Sequence, residues 1–250
     1  MIEVTNLKIE VFDKVLVSDI SFELLENQSL GIIGSSGSGK SLTSLTLMGL
    51  LDREIYKISG SVKLFGEEIL NKSEKEIAKN RLSKIAMVYQ NPFNTFSPVE
   101  KLKKQIDRIY KIKKLKKDRE KLKRLLEEVS LDESYLEKFP HELSGGELQR
   151  MVIVASLLLN PKVLICDEPT TSLDIETGNK IIELLNEIRK KEKISLIFVT
   201  HDLSIIGDIT EKLLIMNRGK IVERGETKEI LENPKDEYTK KLLSFSRLGD

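Results

Sequence analysis

Glycine, serine and a single lysine crowd into one octet: Gly34-Ser35-Ser36-Gly37-Ser38-Gly39-Lys40-Ser41. Glycine takes positive φ at little cost, so successive N–H groups can converge on one concavity. Lys40 adds a point charge, and Ser41 a hydroxyl. That combination suits a polyphosphate with Mg²⁺, an ion that prefers oxygen ligands and substrate phosphates. The motif requires a strand before it and a helix after it. Ser29-Leu-Gly-Ile-Ile33 reads as that strand. A helical pattern begins at Ser41, with Leu42, Leu45 and Gly49 on one side. Such a helix points its positive N-terminus at the same spot. A flexible turn before an ordinary helix is the competing reading, and the flanking elements count against it.

Two further clusters belong to the same chemistry. Val163-Leu-Ile-Cys166 is a continuous apolar run, read as a strand buried on both faces. It ends in Asp167-Glu168-Pro169, where parallel sheets place their ligands. Asp167 suits a magnesium site, and Glu168 is the candidate base for an attacking water. A solvated acidic turn is the alternative. Leu143-Ser144-Gly145-Gly146-Glu147 is a second anion-binding candidate. Ser144 reads as a helix N-cap, with Glu147 three residues on completing a capping box. Spacing alone does not separate a plain cap from a phosphate loop. A nucleotide has one phosphate tail, so two such loops in one chain need an explanation.

LSGGELQR at 143–150, the glycine-rich octet, CDEPTTSLD at 166–174 and His201-Asp202 together resemble an ATP-binding-cassette (ABC) ATPase. The resemblance spans nearly the whole chain. It implies an α/β fold of the P-loop NTPase type, with a mixed, largely parallel core sheet, an N-terminal antiparallel β subdomain and a helical subdomain. It further implies that two such domains pair head-to-tail, as homodimer or heterodimer. Each ATP–Mg²⁺ is then sandwiched between the loop at Gly34, Ser35, Gly37, Ser38, Gly39, Lys40, Ser41 and Leu42 of one copy and Ser144, Gly145, Gly146 and Glu147 of the other. One loop binds and the other closes.

The remaining roles follow from the same resemblance. Gln90, after the apolar run Ile85-Ala-Met-Val-Tyr89, matches the glutamine that reaches the metal and the attacking water. Ser41, Gln90 and Asp167 form the implied metal set. His201, after Ser195-Leu-Ile-Phe-Val199, matches the γ-phosphate histidine. Asp174 corresponds to the loop that communicates across the dimer. Phe12 falls where family members stack an aromatic on adenine, and a strand-face core position is its competing reading. Tyr89-Gln-Asn-Pro-Phe-Asn-Thr-Phe-Ser-Pro98 and the tail Asp236-Glu-Tyr-Thr-Lys-Lys-Leu-Leu243 are similar to segments of oligopeptide, dipeptide and nickel importer ATPases. Leu148-Gln149-Arg150 is closer to the nickel members. Asp236-Glu237 stands where His-Pro is common, and Ser97 replaces the usual Asn. The implied partners are a second cassette, two transmembrane permease subunits and, indirectly, an extracytoplasmic binding protein.

Composition sets outer limits. Charged residues make up 32% of the 250, yet the net charge is only +1, so global charge does not call for nucleic acid. One cysteine, Cys166, cannot form an internal disulfide, which fits a reducing compartment. The sequence opens on no basic, apolar leader. The longest mostly apolar run, Met151 to Leu159, falls well short of the ~20 residues of a membrane span. If the chain works at a membrane, a partner must supply the spans; the resemblance implies the cytoplasmic face, held by a permease.

The resemblance, together with the periodicities, implies a single nucleotide-binding domain over 1–250. An ATP-binding core with an antiparallel β part covers 1–90 and 160–225, a helical subdomain 91–159, and a helical tail 226–250. Ile2 to Phe12, Ile20 to Leu25 and Ser61 to Phe65 alternate like antiparallel strands. Leu102, Ile106 and Ile109 recur at helical spacing, as do Leu115, Leu122, Leu126 and Val129. Ile175 to Lys190 reads as an amphipathic helix, and Asn217-Arg218-Gly219-Lys220 as a hairpin turn. The stretch from Lys101 to Arg124 holds thirteen basic residues against three acids. The favoured reading is a solvated face of amphipathic helices; anionic lipid or nucleic acid would be the alternatives. Tyr110 is the only aromatic within it, which argues against stacking on single strands. A non-transport cassette acting on nucleic acid or the ribosome is the rival function.

Overall fold

The computed structural model describes residues 1–81, 83–114 and 117–246. Leu115, one of the helical-spacing positions above, lies outside them. Ten strands and nine helices are present among the described residues. The strands are β1 (Ile2–Val11), β2 (Lys14–Leu24), β3 (Ser29–Ile33), β4 (Lys57–Leu64), β5 (Glu67–Glu68), β6 (Ile85–Val88), β7 (Val163–Asp167), β8 (Ser195–Thr200), β9 (Lys212–Asn217) and β10 (Lys220–Glu226). The helices are α1 (Lys40–Leu47), α2 (Glu74–Arg81), α3 (Leu102–Ile112), α4 (Arg119–Glu128), α5 (Gly145–Leu157), α6 (Ile175–Glu192), α7 (Ile206–Ile209), α8 (Thr227–Glu232) and α9 (Glu237–Ser246).

The main sheet runs in the order β10-β9-β3-β8-β7-β6. Its five strands from β9 to β6 are mutually parallel, and β10 joins antiparallel through the Arg218-Gly219 turn. Both turn residues have positive φ (48° and 79°), as a two-residue hairpin requires. A second, antiparallel sheet has the order β2-β1-β4-β5.

The apolar runs work as two-sided strands. In β7, Leu164 and Cys166 face the core shared with α3 to α6, while Val163 and Ile165 face the core shared with the antiparallel sheet. Leu196 and Phe198 of β8 divide from Ile197 and Val199 in the same way. That period-two division explains why these strands carry no polar face. It also pins their register, since a slip of one residue would exchange the two cores. The strand ends at Ile33, Thr200, Asp167 and Val88 consequently line up along one edge of the sheet.

The basic stretch is largely a solvated face: among its described basic residues only Lys113 and Lys121 are half-buried. Lys101 and Lys103 pair with Glu137, Lys104 and Arg108 with Glu100, and Lys117 with Asp107. Lys113 donates to the Leu159 carbonyl, and Lys121 to the Leu157 carbonyl at 3.2 Å and to Asn160. These two amines sit on the carbonyl end of α5, where a cation complements the helix dipole. Burial lowers the pKa of both lysines.

Candidate functional site

The Gly34–Ser41 loop connects β3 to α1, the context its chemistry demands. Gly39 sits at φ 101°, and a Cβ there would lie 2.9 Å from Val17 Cγ2. Lys40 is only 5% exposed and folds back on its own loop, donating to the Gly34 carbonyl at 2.7 Å and the Ser35 carbonyl at 3.1 Å. Burial lowers its pKa, opposed by the negative charges of Glu168 and Asp167. The Ser41 hydroxyl donates to Asp167 Oδ1 at 3.3 Å. Asp167 is itself 8% exposed, and burial pushes its carboxyl above the ordinary range. A hydroxyl and a carboxylate side by side are hard oxygen donors. Among the described residues no three His, Cys, Asp or Glu cluster into a cage for an ion. An ion here would have to share its sphere with substrate phosphate and water, which is how Mg²⁺ is usually held.

Glu168 follows β7 with φ 49°, a left-handed conformation that a non-glycine residue adopts at some cost. Its amide donates to the Val199 carbonyl of β8 at 2.8 Å, which holds the turn. Both carboxylate oxygens are engaged. Oε2 accepts from Gln90 Nε2 and from Thr171 Oγ1, each at 3.0 Å, and Oε1 lies 3.2 Å from His201 Nδ1. Gln90 comes from the end of β6 and His201 from the end of β8. Three strand ends thus deliver one constellation beside Lys40.

The second loop is finished by its own neighbours. Ser144 caps α5: its Oγ accepts from the Glu147 amide at 3.3 Å, and Glu147 accepts in return from the Ser144 amide at 2.8 Å. Tyr135 donates its hydroxyl to Glu147 at 2.7 Å. With the Ser144 amide as the largest cause, Glu147 is depressed from 4.5 to about 2. A Cβ on Gly146 would come within 2.5 Å of Thr177 Cγ2, so the loop packs tightly on the first turn of α6. Asp174 caps α6, accepting from the Thr177 amide at 2.9 Å. A family model for the ABC transporter matches residues 17–171, spanning the glycine-rich loop, the Ser144 loop and both carboxylates.

The chain belongs to the ABC transporter ATPase family. It is 37% identical over 237 residues to the oligopeptide transport ATP-binding protein OppD of Escherichia coli, covering 93% of this chain and 70% of that one. A dipeptide transport ATP-binding protein, DppD of Haemophilus influenzae, is also 37% identical, over 97% of this chain and 76% of its own. Among solved structures, an ATP-binding cassette caught in a dimeric post-hydrolysis state with ADP and Pi matches at a TM-score of 0.78 and 25% identity, over 91% of this chain and 99% of that one. Cassette cbiO1 of Clostridium perfringens, part of the transporter complex cbiONQ, matches at 0.80 and 27%, over 93% and 90%. ABC ATPases bind nucleotide, and the cassette fold accounts for both sheets and the helices between β6 and β7.

Phe12 is not a core residue. It occupies the β1–β2 turn at φ 44° and is 92% exposed. Leu42 begins the α1 face that packs on the antiparallel-sheet core. Several contributors escape sequence reading. Thr171 sits inside the quoted CDEPTTSLD stretch but has no distinguishing spacing. Tyr135 and Tyr238 meet the loops only through the fold; Tyr238 Oη accepts from the Ser35 amide at 2.9 Å. Gly219 likewise donates to the Ser38 carbonyl at 3.0 Å.

Proposed function

We propose that the chain is the ATP-hydrolysing subunit of a membrane importer whose cargo is peptides. The observation that carries the reading is the Glu168 carboxylate, oriented through both oxygens by Gln90, Thr171 and His201 and set beside Lys40 and the Ser41–Asp167 pair. In this proposal Lys40 and the loop amides bind the β- and γ-phosphates. Ser41, Asp167 and Gln90 would hold Mg²⁺, which would supply positive charge against the phosphates. Gln90 and His201 position a water in line with the γ-phosphate, and Glu168 Oε takes its proton. Such catalysis is mostly positioning and charge stabilisation, so each group should matter steeply. Gly34, Ser35, Gly37, Ser38, Gly39 and Leu42 shape the phosphate loop, and Phe12, exposed on its turn, stacks on adenine.

Two copies, or this chain and a related cassette, close head-to-tail, with Ser144, Gly145, Gly146 and Glu147 of one on the nucleotide of the other and Asp174 near the seam. Closure pushes on two permease subunits at the cytoplasmic face of a membrane, fed by an extracytoplasmic binding protein. Residues 1–90 and 160–225 act as the ATP-binding core, 91–159 as the helical part and 226–250 as a tail, all within one domain. No described helix is long and apolar enough to cross a membrane.

The test is uptake by vesicles containing the chain and its permeases. ATP-dependent accumulation of a labelled oligopeptide supports the reading. Accumulation of a nickel chelate in its place would move the cargo to the metal branch. ATP hydrolysis stimulated by RNA or DNA and indifferent to permease would overturn it in favour of a nucleic-acid cassette.

A further inference from the structure

The tail motif has no place in the mechanism above, yet it reaches the nucleotide loop. Its path starts on β10, where the Glu223 carboxylate accepts from the Lys235 amide at 2.8 Å and the Asp236 amide at 3.1 Å. Asp236 then accepts from the Tyr238 amide at 2.8 Å, and the Lys240 amide from α9 donates to its carbonyl at 3.0 Å. Thr239 is fully buried, Leu243 nearly so, and Tyr238 and Leu242 lie against the larger core. The first turn of α9 is therefore fixed at both ends. The Tyr238 phenol oxygen accepts from the Ser35 amide at 2.9 Å, across 203 residues of sequence.

Ser35 is the outer shoulder of the phosphate loop. Its carbonyl accepts from the Ser38 amide at 3.1 Å and from Lys40 Nζ at 3.1 Å. Two successive peptide groups thus hold the loop's curvature and the resting position of the cation, and the tail grips the first of them, whose Gly34 carbonyl accepts from Lys40 Nζ at 2.7 Å, by its Ser35 N–H. A loop ordered in advance loses less freedom when phosphate arrives. Without the phenol oxygen, water would take the exposed Ser35 N–H, and the peptide would turn more freely.

We propose that Tyr238 is a positioning residue for nucleotide binding, and that the C-terminal helix is a third support of the phosphate loop beside β2 and the β9–β10 turn. The inference rests on the reading of Gly34–Ser41 as the nucleotide loop. Tyr238→Phe removes one oxygen and keeps the ring in the core. It should weaken Mg·ATP binding to the full chain about three- to tenfold, the range of one neutral hydrogen bond. KM for ATP should rise by the same factor, with kcat at saturation within about twofold and the melting temperature within ~2 °C. Glu223→Ala, which frees the turn that presents Tyr238, should weaken binding in the same direction. Equilibrium titration with a fluorescent ATP analogue, a thermal melt and steady-state kinetics read all of this.

Parental or tighter affinity in Tyr238→Phe, while Lys40→Ala has lost binding, would overturn the proposal and leave the loop assignment standing. A lowered melting temperature and kcat with unchanged KM would also overturn it, marking the tail as simple packing. Parental binding by Lys40→Ala would take the loop assignment down, and this inference with it.

Discussion

The two candidate anion-binding loops of this molecule are built in opposite ways. The Gly34–Ser41 loop is held from a distance: Asp167 on Ser41, Gly219 on the Ser38 carbonyl, Tyr238 on the Ser35 amide, and Val17 against Gly39. The Ser144 loop is held mostly by its neighbours, through a capping box closed within three residues and a tyrosine nine positions before the cap. The first stores a buried cation offset by its own carbonyls and two nearby carboxylates. The second offers glycine amides and a helix dipole, worth about 0.3–1 kcal/mol for an exposed anion and up to ~2 when partly buried. A strong site on a cooperative scaffold can bind alone. A weak one, complete in itself, can only tip an assembly that already holds its ligand. That inequality is what one expects of a loop that binds and a loop that closes.

The contrast breaks most visibly at Glu168, which belongs wholly to the first region. Glu168→Gln keeps a side chain of the same shape for Gln90 and Thr171 but cannot take a proton. Turnover should fall by about 10²–10⁴, with ATP still bound and the dimer trapped closed. Hydrolysis at the parental rate would remove Glu168 from the base role. Lys40→Ala should be next, costing roughly 100-fold in nucleotide affinity, as expected for losing a charge-assisted contact to phosphate. Direct titration of the isolated chain measures it.

Ser144→Arg attacks the other loop. A lone chain should bind ATP as before, while ATP-driven pairing on a sizing column disappears. If pairing persisted unchanged, the Ser144 loop would be a cap and nothing more. The comparison would then reduce to one site and one ordinary helix start.

The asymmetry also explains what the sequence revealed. The capping box at Ser144 and Glu147 was legible because it closes within one turn. So were β3, β6, β7 and β8, whose unbroken apolar runs announce strands buried on both faces. The hairpin at Arg218-Gly219 was legible from turn chemistry. Asp174 was legible as part of a resemblance, but its local use as the cap of α6 emerges only from its bond to Thr177. Phe12 was ambiguous because alternation along β1 leaves its last residue undecided between strand and turn. Tyr238, Tyr135 and Thr171 were invisible as site residues because their partners are set by how elements dock. Two lysines of the otherwise solvated basic stretch depart for a similar reason: the docking of α3 and α4 brings Lys113 and Lys121 to the carbonyl end of α5.

The smallest effect sharpens the contrast best. Tyr135→Phe removes one donor from Glu147 while leaving the Ser144 amide and hydroxyl in place. Nucleotide affinity of the lone chain should not move, since the change lies in the second loop. The melting temperature should drop by about 2–4 °C near neutral pH. The pH dependence then separates charge from packing. Glu147 has a folded-state pKa of about 2, below its usual 4.5. Its contribution is therefore fully present above pH 4.5 and is lost as pH falls toward 2. The gap between parent and variant should be constant above pH 5 and close through that acid window. A gap that stayed constant would assign the effect to the loss of the hydroxyl without regard to the charge on Glu147, since the ring under Lys138 Nζ is kept in the variant. In that event the charge of Glu147 would be a bystander in its own cap.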